Sequence, residues 1–402
     1  MSQQPTAAHR VALLPEEKRA AVSVAILIAL RMYGLFLIMP VFSVYAKSLP
    51  HSTPMLIGMA LGIYGLTQAL LQIPMGLLSD IFGRKPVLTV GLLFFIIGSV
   101  IAATATDIHT IIIGRAVQGM GAIASVGMAL VADISREEVR GRVMAIIGMS
   151  IGAAFMLAFI TGPVLYAKIG MSGLFWLTAV LATLALIQLH LFVKEPKKHK
   201  STRFSLAELV STLKNPQLLA LDLSVFVLHA VMTAVFVALP LALNEKLHFP
   251  PEQHGRLYLP VLVLSVGIML PLIIKMEKSG RHAQYILMGL SGLALSQLLL
   301  PFSLGSVVAV AAVLVLFFGM FNFLEAGMPA WLSRLAGEKF RGAAMGMYSS
   351  SQFIGAFVGS ALAGYLMRYG YDKVFYGTAV LVLMTALLVW RVNQSGQLRH
   401  LG

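Results

Sequence analysis

The sequence predicts an all-α membrane protein with twelve transmembrane helices, arranged as two pseudo-symmetric six-helix bundles around a central cavity. Three observations carry this prediction. Of 402 residues, 58% are hydrophobic and only 11% are charged, whereas a soluble domain carries roughly 25% charged residues. Apolar runs of around 20 residues, each long enough to cross a bilayer, recur from one end to the other, and mean hydropathy is +0.86. Finally, EEVRGRVMA (137–145) and EKFRGAAMG (338–346) align at a spacing of 201, half the chain length.

The first predicted crossing, 20–46, is too long for a signal-peptide core and has no small-residue cleavage site, so it is expected to be retained. Crossings two to six follow at 55–79, 87–106, 108–134, 140–167 and 171–193. Crossings seven to twelve are expected at 217–245, 253–275, 282–302, 306–333, 340–368 and 373–393. Helices are required because a lipid-facing strand barrel needs short alternating segments, which are lacking here. The longest polar interruption, KEPKKHKSTRFSLAELVSTLKNP (194–216), reads as a basic cytoplasmic linker with room for a short amphipathic helix on the membrane surface. It separates an N-terminal bundle, 1–193, from a C-terminal bundle, 217–402. EKSGR (277–281) weakly echoes DIFGR (80–84) at the equivalent loop of the other half.

The net charge of +14 is a topology signal rather than a nucleic-acid footprint. With the N-terminus inside, the cytoplasmic segments carry 22 of the 30 Lys and Arg, and the outer loops carry six. The remaining two, Arg31 and Arg115, fall within crossings. This asymmetry predicts an integral plasma (inner) membrane protein with both termini cytoplasmic. There are no cysteines, which excludes disulfides and thiol chemistry. No nucleotide loop, metal-ligand cluster or nucleophile triad is present, so neither an enzyme nor a cofactor is expected. The expected partners are the bilayer, protons and a small molecule, and the expected state is a monomer.

GLLSDIFGRK (76–85) places one acid, two bases and two glycines in the turn between crossings two and three. Gly76 removes a side chain where two helices would approach closely, and Gly83 suits a turn with positive φ. Asp80 can satisfy free amides at a helix N-terminus, Arg84 can fork onto a carboxylate, and Lys85 belongs among the inside-facing bases. Taken alone, this could be a charged, topology-setting turn. The ordered set Gly76, Leu78, Asp80, Gly83, Arg84 and Lys85 resembles the loop signature of the major facilitator superfamily. In that superfamily the acid and the arginine help to close the cytoplasmic side in the outward-facing state. The acid lies near the N-terminus of crossing eleven, and the arginine pairs with an acid ending crossing four. The resemblance therefore implies a gating latch with Asp133, in VADIS, as the partner of Arg84.

IGRAVQGMGA (113–122) resembles the crossing-four signature of proton-coupled members, through Arg115, Gln118, Gly119 and Gly121. It implies a part for Arg115 in proton transfer, unless Arg115 snorkels to the outer surface. GMSIGAAFMLAFITGP (148–163) resembles the antiporter signature through Gly148, Gly152, Gly162 and Pro163, although the further glycines that commonly follow the proline are not obvious in VLYAKIG. Pro163 removes a backbone donor and Gly162 permits a bend, so a bend involving Gly152, Gly162 and Pro163 is expected.

Ionisable groups inside the crossings are few, and each is a functional hypothesis by default. Glu325 lies well inside crossing ten beside Asn322, and His229 about a dozen residues into crossing seven. Histidine titrates near neutral pH and a desolvated glutamate moves up towards it, so the two could exchange a proton over the physiological range. A structural hydrogen bond would also account for His229. Asp222 sits near the inner surface, where it could meet only linker lysines. ALRMYGLFLIMPVF (29–42), LHAVMTAVFVALP (228–240) and FNFLEAGMP (321–329) are similar to one group of the drug/proton antiporter family. In that group, cavity-facing charges occupy the positions of Arg31, His229 and Glu325. The group carries a small ferredoxin-like domain after crossing twelve, and no such domain is expected here, since the sequence stops at Gly402, soon after RVNQSGQLRH.

Gln68, Gln72, Gln118 and Asn322 are candidates for the cavity wall. The 22 methionines suit an adaptable surface, or simply fill the membrane core. The three tryptophans lie near helix ends, which leaves none in mid-membrane to stack on a sugar ring. Together these readings predict proton-coupled efflux of small amphipathic or apolar organic molecules by alternating access. The alternatives are uptake of a small metabolite or sugar by a symporter or uniporter, and a non-transporting membrane sensor.

Overall fold

A computed structural model of the chain describes residues 14–195, 212 and 214–394. The expected amphipathic linker helix lies outside them. Among the described residues, the regular structure is helical throughout. The first helices are α1 (Pro15–Leu37) and α2 (Met39–Ser48), which together fill the first predicted crossing. They part at Ile38, because Pro40 lies at the start of α2 and has no amide to continue the ladder. Next come α3 (Pro54–Phe82), α4 (Arg84–Ala103), α5 (Ile108–Met120) and α6 (Ala124–Ile134). Two longer helices, α7 (Glu137–Phe192) and α8 (Pro216–Lys246), flank the linker. The chain continues with α9 (His254–Ser279), α10 (His282–Ser303), α11 (Val307–Leu366) and α12 (Tyr371–Gln394). With α1–α2 and α5–α6 each taken as one span, ten helices are long and apolar enough to cross a bilayer.

Helix starts follow local chemistry. Asp107 caps α5 by accepting from His109 N at 2.8 Å and Thr110 N at 3.1 Å. The Thr110 hydroxyl and amide hold its carboxyl below the usual carboxylate range. Asn215 caps α8 in the same way, with Pro216 at the first helical position. Helix stops use glycine. Gly83 (φ 102) separates α3 from α4, and Gly280 (φ 68) separates α9 from α10. Gly170 (φ 66) interrupts α7, and Gly370 (φ 119) precedes α12. These four turns pair at sequence separations close to the repeat spacing, so the two halves turn at equivalent places. α11 carries its own interruption at Gly337 (φ 63, ψ 178).

α8 is the most enclosed helix. From Leu218 to Leu243 nearly every residue is buried, because α2, α3, α11 and α12 all pack on it. A helix covered on all sides needs no polar face, and its sequence is apolar all round. α3 meets α11 through Gly58, Gly62 and Gly65, which lie against Ser360, Phe357 and Phe353. α7 meets α9 where Gly255 faces the Ile160 carbonyl. Both seams lie at the end of the molecule opposite the 80–85 loop. At the loop end, side chains added at Gly148, Gly152, Gly342 or Gly346 would meet no described atom within 4 Å.

Candidate functional site

The loop is a compact ionic knot. Arg84 donates from Nε to Asp133 Oδ2 at 2.8 Å and from Nη1 to Asp80 Oδ1 at 2.6 Å. Nη1 also reaches Ser79 Oγ at 2.6 Å. Gly83 takes the positive φ that the turn needs. A Cβ there would also press on Glu195, whose carboxylate accepts from Arg84 N (2.6 Å) and Lys85 N (2.7 Å). Glu195, at the opening of the linker, therefore caps α4 directly, a contact with no local signal in the sequence. Lys85 Nζ donates to the His190 and Val193 carbonyls, which ties the same loop to the end of α7. On the same side, Arg136 donates from Nε to Glu17 Oε1 at 2.7 Å.

Gly76 departs from expectation. A Cβ on it would meet Ser125 Oγ at 3.6 Å, an ordinary contact, so no close helix approach depends on it. That approach is made instead at Gly119, packed against Tyr64 and Thr67 of α3. No break in the helix accompanies the Gly162–Pro163 step. Helical dihedrals continue through both residues, and the non-helical residue of α7 is Gly170. Gly162 is small because the Leu37 carbonyl of α1 lies against it, while Gly152 faces open space.

In the N-terminal half, two arginines share one tyrosine. Arg31, 2% exposed, donates from Nη2 to Tyr64 Oη (2.8 Å), Gln68 Oε1 (3.1 Å) and Gly121 O (2.9 Å). The last acceptor exists because the helix breaks between α5 and α6. Gly121 adopts ψ 49, and its carbonyl turns out of the ladder towards the guanidinium. Arg115, 3% exposed, donates to Gln118 Oε1 at 2.7 Å and lies over the Tyr64 ring at 5.0 Å, so it faces inward and does not snorkel. Gln118 passes the chain on to Ser99 Oγ at 2.7 Å. Gln68, Gln72 and Gln118 are all buried in this packing.

In the C-terminal half, His229 and Glu325 are brought together, with Nε2 and Oε2 3.7 Å apart. His229 Nδ1 lies 3.1 Å from the Val225 carbonyl, and Nε2 lies 2.8 Å from Gln352 Nε2. The Val225 carbonyl can only accept, so it takes a proton from Nδ1, and the Gln352 amide can meet Nε2 with its NH2 or, turned over, with its oxygen. The carboxylate nearest to Nε2 is Glu325. Glu325 is less desolvated than the sequence suggested. Its side chain is 37% exposed, while Oε2 is closed off without a hydrogen-bond partner. Asn322 donates to Ser265 Oγ at 3.3 Å. Asp222 is 6% exposed with Oδ1 unpartnered, and lies on the same face of α8 as His229, about two turns away.

Sequence reading missed the residues that divide the two ends. Phe159 of α7 packs edge-on against Phe236 of α8 (4.7 Å), Tyr258 of α9 (5.8 Å) and Phe318 of α11 (6.3 Å). One aromatic side chain from the first half thus fills a nest from the second. Beyond it, Lys47 pairs with Glu245, which also accepts from Tyr371 Oη at 2.8 Å. Each member of this seal is an unremarkable apolar or surface residue in sequence. Only their spacing along paired helices could have hinted at it.

Comparison with known proteins agrees with this architecture. The Inner membrane transport protein YajR of Escherichia coli (strain K12) is 38% identical over 357 residues, covering 88% of this chain and 78% of that protein. Multidrug resistance protein 2 of Bacillus subtilis (strain 168) is 24% identical and covers 90% of this chain and 92% of its own. Among solved structures, the human organic anion transporter MFSD10 (TETRAN) superposes with a TM-score of 0.71 at 19% identity. It covers 94% of this chain and 100% of that one. A bacterial homolog of the human lysosomal transporter Spinster, captured inward-facing and unoccupied, gives 0.75 at 12% identity, over 97% of this chain and 98% of that one. The family profile described as Major Facilitator Superfamily matches residues 24–315 and 221–400. The chain is an integral membrane protein of the major facilitator superfamily, a family of transporters.

Proposed function

We propose that this transporter exports small amphipathic or apolar organic molecules in exchange for protons. In this reading α7 and α11 each cross the bilayer twice, which gives twelve crossings in two bundles, 1–193 and 217–402, with both termini cytoplasmic. The seam at Gly58, Gly62 and Gly65 and the open ground around Gly148 and Gly342 support an inward-facing state, with the 80–85 loop on the cytoplasmic side. The Arg84–Asp80–Asp133 knot, made here within the first half, is the part of the latch that engages the second half when that side closes in the opposite state.

The observation that carries proton coupling is the His229–Glu325 pair. A proton arriving at Nε2 turns a 3.7 Å contact between a neutral ring and a carboxylate into an ion pair. Gln352 must then meet Nε2 with its oxygen, and it sits on α11, the helix that forms the seam with α3. Protonation and the interface between the halves are linked through that one side chain. Relatives named for multidrug and quinolone resistance support the outward direction. The test is substrate flux in proteoliposomes under an imposed pH gradient. Glu325→Gln is expected to abolish gradient-driven flux while sparing exchange at equal pH. Flux indifferent to the gradient in the unmodified protein overturns the proton coupling.

A further inference from the structure

The N-terminal half buries two guanidinium groups, and the described residues supply no counter-ion for them. Asp80 and Asp133 are committed to Arg84, Glu17 to Arg136, and Asp107 to the helix start it caps, as is Glu195 at the opening of the linker. Among the described residues, no carboxylate pairs with Arg31 or Arg115. Their acceptors are all neutral: a phenol, two amides and a main-chain carbonyl. Arg31 Nε is closed off from solvent and has no partner. Neutral acceptors and aromatic faces offset only part of the cost of holding a cation out of water.

The same arginine borders an apolar pocket between α1, α6 and α7. Its walls include Ile28, Met32, Ile123, Met128 and Ile151, with Gly127 on one side. A Cβ at Gly127 would make an ordinary 3.4 Å contact with Ile28, so the glycine leaves room for about one further methyl there. A pocket with greasy, adaptable walls and one uncompensated cation at its edge has the chemistry of an amphipathic anion site. The opposite half has the opposite character. Its acids, buried Asp222 and half-buried Glu325, offer such a ligand no cation and leave it on the arginine side.

We propose that the substrate class is an amphipathic organic anion, with Arg31 as counter-ion to its headgroup and the α1–α6–α7 pocket, about 60 Å³ in this state, receiving the leading edge of its apolar body. This rests on the reading of the chain as a transporter of amphipathic molecules and narrows it by charge. It also gives Arg31 a task separate from proton transfer. Arg115, behind Tyr64, acts as a positioning residue that holds the tyrosine against Arg31.

The test uses three probes with one ring system and different headgroups: naphthoate, naphthylmethanol and naphthylmethylammonium. Binding to the full-length protein in lipid nanodiscs is measured by calorimetry. Naphthoate is expected to bind about tenfold or more tightly than the alcohol, the scale of one charge-assisted contact. Arg31→Gln should erase that preference and leave alcohol binding in place. Gly127→Leu keeps the charge but fills the pocket, and should weaken naphthoate and alcohol alike. An ammonium that binds as tightly as the carboxylate, or a preference that survives Arg31→Gln, overturns the anion assignment and leaves the amphipath reading standing. No binding by any of the three overturns the amphipath reading itself.

Discussion

The two ends of this molecule are held by different physics. At the loop end the contacts are charged and lie within one half of the chain: Arg84 with Asp80 and Asp133, Glu195 on two backbone amides, Arg136 with Glu17. At the far end the contacts run between the halves and are mostly apolar. Glycines of α3 let α11 approach, and Phe159 fills a nest of three rings. A charged knot needs its partners at fixed angles, so it is either made or broken. A glycine seam with aromatic packing loses little per ångström of sliding and leaves no unpaired charge when it parts. The loop end is thus suited to switching, and the far end to sealing.

The largest effect that would sharpen this comparison is expected at the seam. A leucine at Gly62 would collide with Ser360 and press on the backbone of Phe357. Overpacking of this kind costs about 1–3 kcal/mol, enough to shift a two-state balance by about tenfold or more. Gly62→Leu should cut transport accordingly and expose a cysteine placed at Ser360 to a membrane-impermeant maleimide. The absence of native cysteines makes that labelling clean. Normal transport by this variant would break the assignment of the seam as the seal.

A smaller effect is expected at the latch. Arg84→Ala and Asp133→Ala should each slow transport by roughly threefold to tenfold, and the double variant should be no slower than Arg84→Ala alone, because without Arg84 the Asp133 carboxylate has no pairing left to lose. Additive losses would show that the two residues act independently. The smallest effect belongs to the Lys47–Glu245 pair, whose side chains are 55% and 34% exposed. Exposed pairs contribute about 0–1 kcal/mol, so Glu245→Gln should change the transport rate by less than about twofold. A larger loss would give the outer rim an ionic gate of its own.

Several parts of the site were legible before any coordinates. Arg84 and Asp133 could be paired from the loop signature, and Gly83 could be given its positive φ, because turn chemistry is local. His229 and Glu325 stood out because an ionisable group in an apolar crossing is conspicuous. Gly76 was misread, and Gly162 only partly explained, for a shared reason. A glycine in a membrane helix reports that something lies close, but not whether that is a neighbouring backbone, a lipid or open space. Gly162 turned out to face a carbonyl, Gly76 only a serine, and Gly152 nothing described within 4 Å.

By itself, the sequence determined that the chain is a bundle of membrane helices, how its halves repeat, and which few charges enter the apolar interior. Those are matters of composition, period and local turn chemistry, and water or lipid enforces them residue by residue. The tertiary structure alone decided that the Gly121 carbonyl serves Arg31, that Gln352 meets His229, and that Phe159 packs among three rings of the second half. In a membrane protein, lipid-facing and protein-facing positions are both apolar, so hydropathy does not reveal which side chains meet. Contacts between helices distant in sequence are settled by packing and by the search of each buried polar group for a partner.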